Sequence, residues 1–187
     1  MRTAVVLALV TAGCVSKPPE PVGGEYTGES PNAHFHLKSL ALSDGAEVPK
    51  ENACEDLQHL GRSPDLRWTE PPPGTTALAV SVVDTSAEGF VHWMVLNLDP
   101  SLSGLDAGAS HTGALGGAVE LDNHFDRPGY GGPCPPAGAP HVYVFSVYAL
   151  PKPILGYAAG QKAPADLDEH LRSMAIGTAR LAGTFSR

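Results

Sequence analysis

Three stretches of this 187-residue chain are apolar at odd and even positions alike, and they dictate most of what it can fold into. They are residues 76–83 (TALAVSVV), 92–98 (HWMVLNL) and 142–150 (VYVFSVYAL). A strand of that kind is stable only when both of its faces are covered. Three of them predict an inner sheet with a second layer packed on it. Residues 35–42 mix apolar and polar side chains and stop at the turn signal Ser43-Asp44-Gly45, which predicts a peripheral strand. Residues 65–69 place Leu66 opposite in direction to Arg67 and Thr69, and end at Pro71-Pro72-Pro73-Gly74, which no inner strand can cross. Leu167, Leu171, Met174 and Ala175 share one helical face, predicting a helix over 165–175 that stops at Gly177. Residues 181–185 form a last short strand. With Gly (21) and Pro (18) at about a fifth of the chain, turns are frequent and a helical bundle is disfavoured. The expectation is a mostly β domain with one or two late helices.

Charge excludes one class of partner. Lys and Arg number 12 against 20 Asp and Glu, a net charge of −8, so the surface repels polyphosphate backbones and no nucleic-acid partner is expected. No apolar run reaches the ~18–20 residues that a spanning helix needs. The N-terminus reads differently. Arg2 precedes an uncharged apolar run over residues 4–10, the pattern of a secretory leader. It ends at Thr11-Ala12-Gly13-Cys14, which resembles a bacterial lipobox, although Thr11 stands where Leu is usual. On that reading residues 1–13 are a signal peptide, Cys14 is lipidated, and the protein sits on the outer face of a membrane. An ordinary signal peptide or a mis-set start site would give the same pattern. Residues 14–33, with Lys17-Pro18-Pro19-Glu20-Pro21 and Gly23-Gly24, then form an extended tether to a domain at 34–187. With Cys14 lipidated, Cys54 and Cys134 remain. In an oxidising compartment they are expected to pair, the alternative being two buried thiols.

Function is sought where polar groups interrupt buried strands. Asp84 closes the first apolar run and His92 opens the second, on the face shared by Met94 and Leu96. His141 and Tyr143 stand two apart at the start of the third, hence on one face. Just before them, the Gly- and Pro-rich stretch 129–140 (GYGGPCPPAGAP) cannot be regular structure. Its backbone N–H groups can form an anion-binding concavity. The expectation is a small polar pocket of two imidazoles, a phenol and a carboxylate beside this loop. Each of the four also has a bland reading, as a turn former, a satisfied core histidine or sheet filler.

The motifs SPDLRW at 63–68, PGT at 73–75, VVD at 82–84, HWMVLN at 92–97, GYGGPCPP at 129–136, HVYVF at 141–145 and LAGTFSR at 181–187 carry a resemblance. The chain resembles the phosphatidylethanolamine-binding proteins, in their bacterial Raf kinase inhibitor-like branch, over residues 35–187. The resemblance implies a β-sandwich of two packed β-sheets with C-terminal helices, and a pocket for phosphate, acetate or a phospholipid head group. Asp84, His92, His141 and Tyr143 match its pocket residues, Gly132 and Pro133 its rim, and Phe90 the aromatic at its mouth. The histidines and the Tyr143 hydroxyl would donate to the anion, and Asp84 would orient an imidazole or accept from an ammonium or protonated oxygen. Protonated imidazoles would make binding tighter at mildly acid pH. The family often pairs, which makes a homodimer an expectation. Where the family has Asp-Pro-Asp-Ala-Pro, this chain has Asp84-Thr85-Ser86-Ala87-Glu88, and the Arg after the His is Val142. Loss of the second carboxylate weakens recognition of an ammonium group and leaves simple anion binding intact. The expected function is a non-enzymatic, exported binding protein for a small anion or phosphorylated ligand, with no cofactor, metal or catalytic residue. The alternatives are a hydrolase using His92 or His141 as base, without any G-x-S-x-G elbow, and a metal-binding protein using the same histidines, without familiar ligand spacing.

Overall fold

A computed structural model describes residues 34–187. The expected signal peptide at 1–13 and the expected tether at 14–33, with Cys14, lie outside the described residues. The apolar runs form the centre of the larger of two sheets. The strands are β1 (Leu37–Lys38), β2 (Leu66–Trp68), β3 (Ala77–Asp84), β4 (Phe90–Leu98), β5 (Gly104–Leu105), β6 (Val119–Glu120), β7 (His141–Leu150) and β8 (Gly177–Phe185). Helix α1 (Leu167–Met174) precedes β8, and a 3-10 turn covers Lys50–Asn52. The small sheet has the order β1-β2-β5 and the large one β6-β4-β3-β7-β8, with antiparallel pairing throughout. The mostly β fold with two sheets and a late helix is as the sequence implied.

The large sheet is covered on both faces, which is why β3 is buried at every position. Val80, Val82, Trp93, Phe145 and Val147 pack toward the small sheet in one core. Ala79, Met94, Leu96, Tyr148 and Leu150 face the other way, against Leu167 and Leu171 of α1. Apolar burial of this kind contributes about 25 cal/mol per Å² removed from water.

Two expectations are corrected. The first strand is only two residues long. Beyond Lys38 the Asp65 carboxylate accepts hydrogen bonds from the Leu40 and Ala41 N–H groups and the Ser39 hydroxyl, so a side chain takes the donors that a ladder would use. The last strand begins at Gly177 rather than at 181, pairing along β7 from Ala149 to His141. Its strict alternation of buried and half-buried positions fits an edge strand with one covered face.

Candidate functional site

Register builds the site. Asp84, the last residue of β3, lies opposite Phe90 on β4 and opposite Tyr143 on β7. Residues directly across a sheet share a face, so the three stand in one row. His141 shares that face, two residues before Tyr143. Its Nδ1 donates to Asp84 Oδ2 at 2.7 Å. Asp84 Oδ1 accepts the Ser86 N–H at 2.8 Å, closing an Asx-type turn. The Thr85 N–H and hydroxyl both donate to the Val142 carbonyl, and Ser86 Oγ accepts the Val142 N–H. Thr85 and Ser86 thus fasten the ends of β3 and β7 together.

His92 reaches the row through a bulge. Val82 lies opposite Trp93 and Val83 opposite Val91, leaving His92 as the extra residue. Met94 and Leu96 face α1, whereas the His92 ring meets Tyr143 edge-on with centroids 5.1 Å apart. The expectation that His92 shares the face of Met94 and Leu96 is therefore corrected: uninterrupted alternation would have buried it under the helix.

The ring is held by backbone. His92 Nδ1 lies 2.6 Å from the Gly131 carbonyl, which can only accept, so Nδ1 carries the proton. The Gly131 N–H donates back to the His92 carbonyl at 2.8 Å. Burial pushes the His92 pKa down to about 4, against smaller opposing effects of the Gly131 and Gly132 backbone and the Asp84 charge. His92 is therefore neutral at pH 7 and its Nε2 presents a lone pair. The expectation that both imidazoles donate to an anion does not hold for His92. The Tyr143 hydroxyl is fully buried and has no hydrogen-bond partner among the described residues. Burial, then the Asp84 charge and the closeness of that carboxylate to the hydroxyl, raise its pKa well above the ordinary phenol range, so it stays a donor. His141 is the most open of the four, with 22% of its side chain exposed.

Two further residues complete the site that sequence reasoning missed. Phe125 packs 4.8 Å from Phe90 and 5.3 Å from His92, and His124 lies 5.1 Å from Phe90. His124 Nδ1 accepts the Val91 N–H and its Nε2 donates to the Ala163 carbonyl. Buried Asn123 shapes the turn, donating to the Gly129 carbonyl and accepting the Phe125 N–H. A Cβ on Gly131 would lie 2.8 Å from the Phe125 ring, so this close approach requires glycine. The available signal was an adjacent His-Phe pair just ahead of the glycine-rich stretch.

Gly132 and Pro133, expected at the rim, are engaged by backbone hydrogen bonds. The Gly132 N–H donates to the Leu60 carbonyl at 2.6 Å, and the Pro133 carbonyl accepts the Cys54 N–H at 2.9 Å. With Gly131 N–H engaged by His92 and Pro133 lacking a donor, residues 131–133 offer no N–H to an anion. They instead fasten the His92 support to the 52–60 segment. Cys54 and Cys134 are joined, with Cα atoms 5.3 Å apart, and tie the same two segments covalently. Among the described residues no group of three His, Cys, Asp or Glu is arranged to hold a metal ion, and no helix is long and apolar enough to cross a membrane.

The chain belongs to the phosphatidylethanolamine-binding protein family, whose profile matches residues 38–186. UPF0098 protein Rv1910c of Mycobacterium tuberculosis is 35% identical over 174 residues, covering 91% of this chain and 75% of that protein. LppC of the same species, named as a candidate lipoprotein, is 36% identical over 155 residues, 80% of this chain and 71% of its own. The crystal structure of Escherichia coli YbcL, described as a new member of the mammalian PEBP family, matches with a TM-score of 0.75 and 30% identity, over 83% of this chain and 99% of YbcL. None of these names carries an enzyme activity.

Proposed function

We propose that this is an exported, lipid-anchored binding protein that takes a small anion or phosphorylated group among Tyr143, His92, His141 and Asp84. The observation that carries this reading is the Tyr143 hydroxyl, buried and unpartnered in the row with Asp84. Leaving such a group unpaired costs about 1–3 kcal/mol, and a ligand oxygen accepting from it removes that cost. His141, oriented by Asp84 and open to solvent, supplies a second donor when protonated. Phe90 and Phe125, whose rings lie 4.8 Å apart, would supply apolar contact beside the ligand. Calorimetric titration with phosphate and phosphoethanolamine tests the reading. Wild type is expected to bind, and Tyr143→Phe to bind about tenfold more weakly, about 1.4 kcal/mol. The stability of that variant in urea is expected to stay within about 1 kcal/mol of wild type, because no internal hydrogen bond is lost. No binding by wild type, or equal binding by the variant, would overturn the proposal.

The likeness to LppC supports the anchoring part, with Cys14 as the lipidated residue and the membrane as a partner. Cells fed labelled palmitate are expected to label the full chain and not Cys14→Ser; label on the variant, or none on wild type, contradicts it. The hydrolase alternative draws on the Asp84–His141 hydrogen bond, which orients an imidazole as a general base. Among the described residues no Ser, Thr or Cys side chain hydrogen-bonds to His92 or His141, so binding without turnover is the better-supported reading.

A further inference from the structure

The fixed tautomer of His92 bears on which anions fit. Its Nδ1 proton is engaged by the Gly131 carbonyl, and Gly131 is itself held by its N–H bond to the His92 carbonyl and by contact with Phe125. Turning the ring over would set a carbon against that carbonyl. Among the described residues no hydrogen bond to Nε2 is seen, and it is not among the buried atoms left without a partner. With Nδ1 protonated, Nε2 of the neutral ring is left as an acceptor. From this geometry we infer that the pocket selects anions that bring their own proton: the O–H of a monoprotonated phosphate or phosphomonoester donates to His92 Nε2, whereas sulfate and sulfate esters, having no O–H to give, are rejected. The inference rests on the anion-binding reading above and names the ligand class within it.

The groups around His92 favour the same outcome. Asp84 on β3 places a carboxylate in the row, which repels a dianion more than a monoanion. Tyr143 and His141 on β7 contribute the donors, Tyr143 from its unpartnered hydroxyl. His124, between β6 and β7, is held in place by the Val91 N–H at its Nδ1 and by the Ala163 carbonyl at its Nε2. Burial keeps His92 from taking a proton until the pH nears 4. Below that its Nε2 becomes a donor and the discrimination is lost. A phosphomonoester, with a second pKa of about 6, still carries an O–H at mildly acid pH, whereas a sulfate ester carries none.

Methyl phosphate and methyl sulfate make the test. At pH 5.5 they are nearly isosteric monoanions that differ by one proton. Titrating the purified full chain, the expected result is binding of methyl phosphate at least about tenfold tighter than methyl sulfate at pH 5.5, a difference of about 1.4 kcal/mol. The ratio should fall toward one by pH 8, as the ester loses its O–H. Titration of the protein's own groups affects both ligands, so the ratio isolates the ligand proton. His92→Gln, which sets an amide donor near the Nε2 position, should bring the ratio at pH 5.5 to within about threefold. Equal binding of the two ligands by wild type overturns this inference and leaves the anion-binding reading standing. Binding of neither removes that reading and this inference with it. Should the variant fail to fold, imidazole 15N spectra of wild type decide at pH 7: a bare Nε2 on His92 supports the inference, and a protonated Nε2 overturns it.

Discussion

His92 is 2% exposed, and its burial decides which protonation state the folded protein tolerates. An imidazole in the unfolded chain takes up its proton near pH 6.5, and in the folded protein near 4. Between those values the unfolded state binds the extra proton. The contribution to stability is complete above pH 6.5 and is lost as pH falls toward 4, on the order of 3 kcal/mol in all. Urea unfolding at pH 7 and at pH 4.5 is expected to show wild type losing markedly more stability than His92→Gln, since every other titrating group is common to both. Equal losses would contradict the assignment. At the same scale, Asp84 and His141 were legible in the sequence because each stands as a polar residue at the end of an apolar run. His124 and Phe125 were not, because a loop imposes no period against which a side chain's direction can be judged.

At the scale of elements, β3 and β7 could be read directly, since an inner strand of a covered sheet is apolar on both faces. The course of β4 could not. Its bulge at His92 reverses the alternation, and no local residue preference announces a bulge in a run of apolar side chains. The first strand was read too long because Asp65, distant along the chain, captures the donors after Lys38. The irregular stretch at 129–140 is legible in the sequence, but its partners at 52–60 are not, being set by tertiary contacts. Those partners make the Cys54–Cys134 bond part of the support of His92. It closes an interval of 80 residues, which the chain-entropy account values at about 4 kcal/mol. Cys54→Ser is expected to lower stability by several kcal/mol in denaturant. Amide exchange at Gly131 and Gly132 should accelerate beyond what the global loss explains. Exchange there that tracks global unfolding alone would show that the bond does not support the site.

In the whole molecule the large sheet is a floor with a core on each side, and the site lies where β3 ends and β7 begins. A net charge of −8 disfavours anions at long range, so the proposed anion binding would rest on short-range donors among the buried side chains. The Tyr143 hydroxyl is the one donor among the four side chains that is both buried and unpartnered. A crystal of the protein grown in phosphate at pH 5.5 puts this to the most direct test. The account expects a phosphate with one oxygen within about 3.2 Å of the Tyr143 hydroxyl and another within that distance of His92 Nε2. Phosphate bound only elsewhere, or a Tyr143 hydroxyl closed onto Asp84 with the Phe90 and Phe125 rings filling the space, would contradict it.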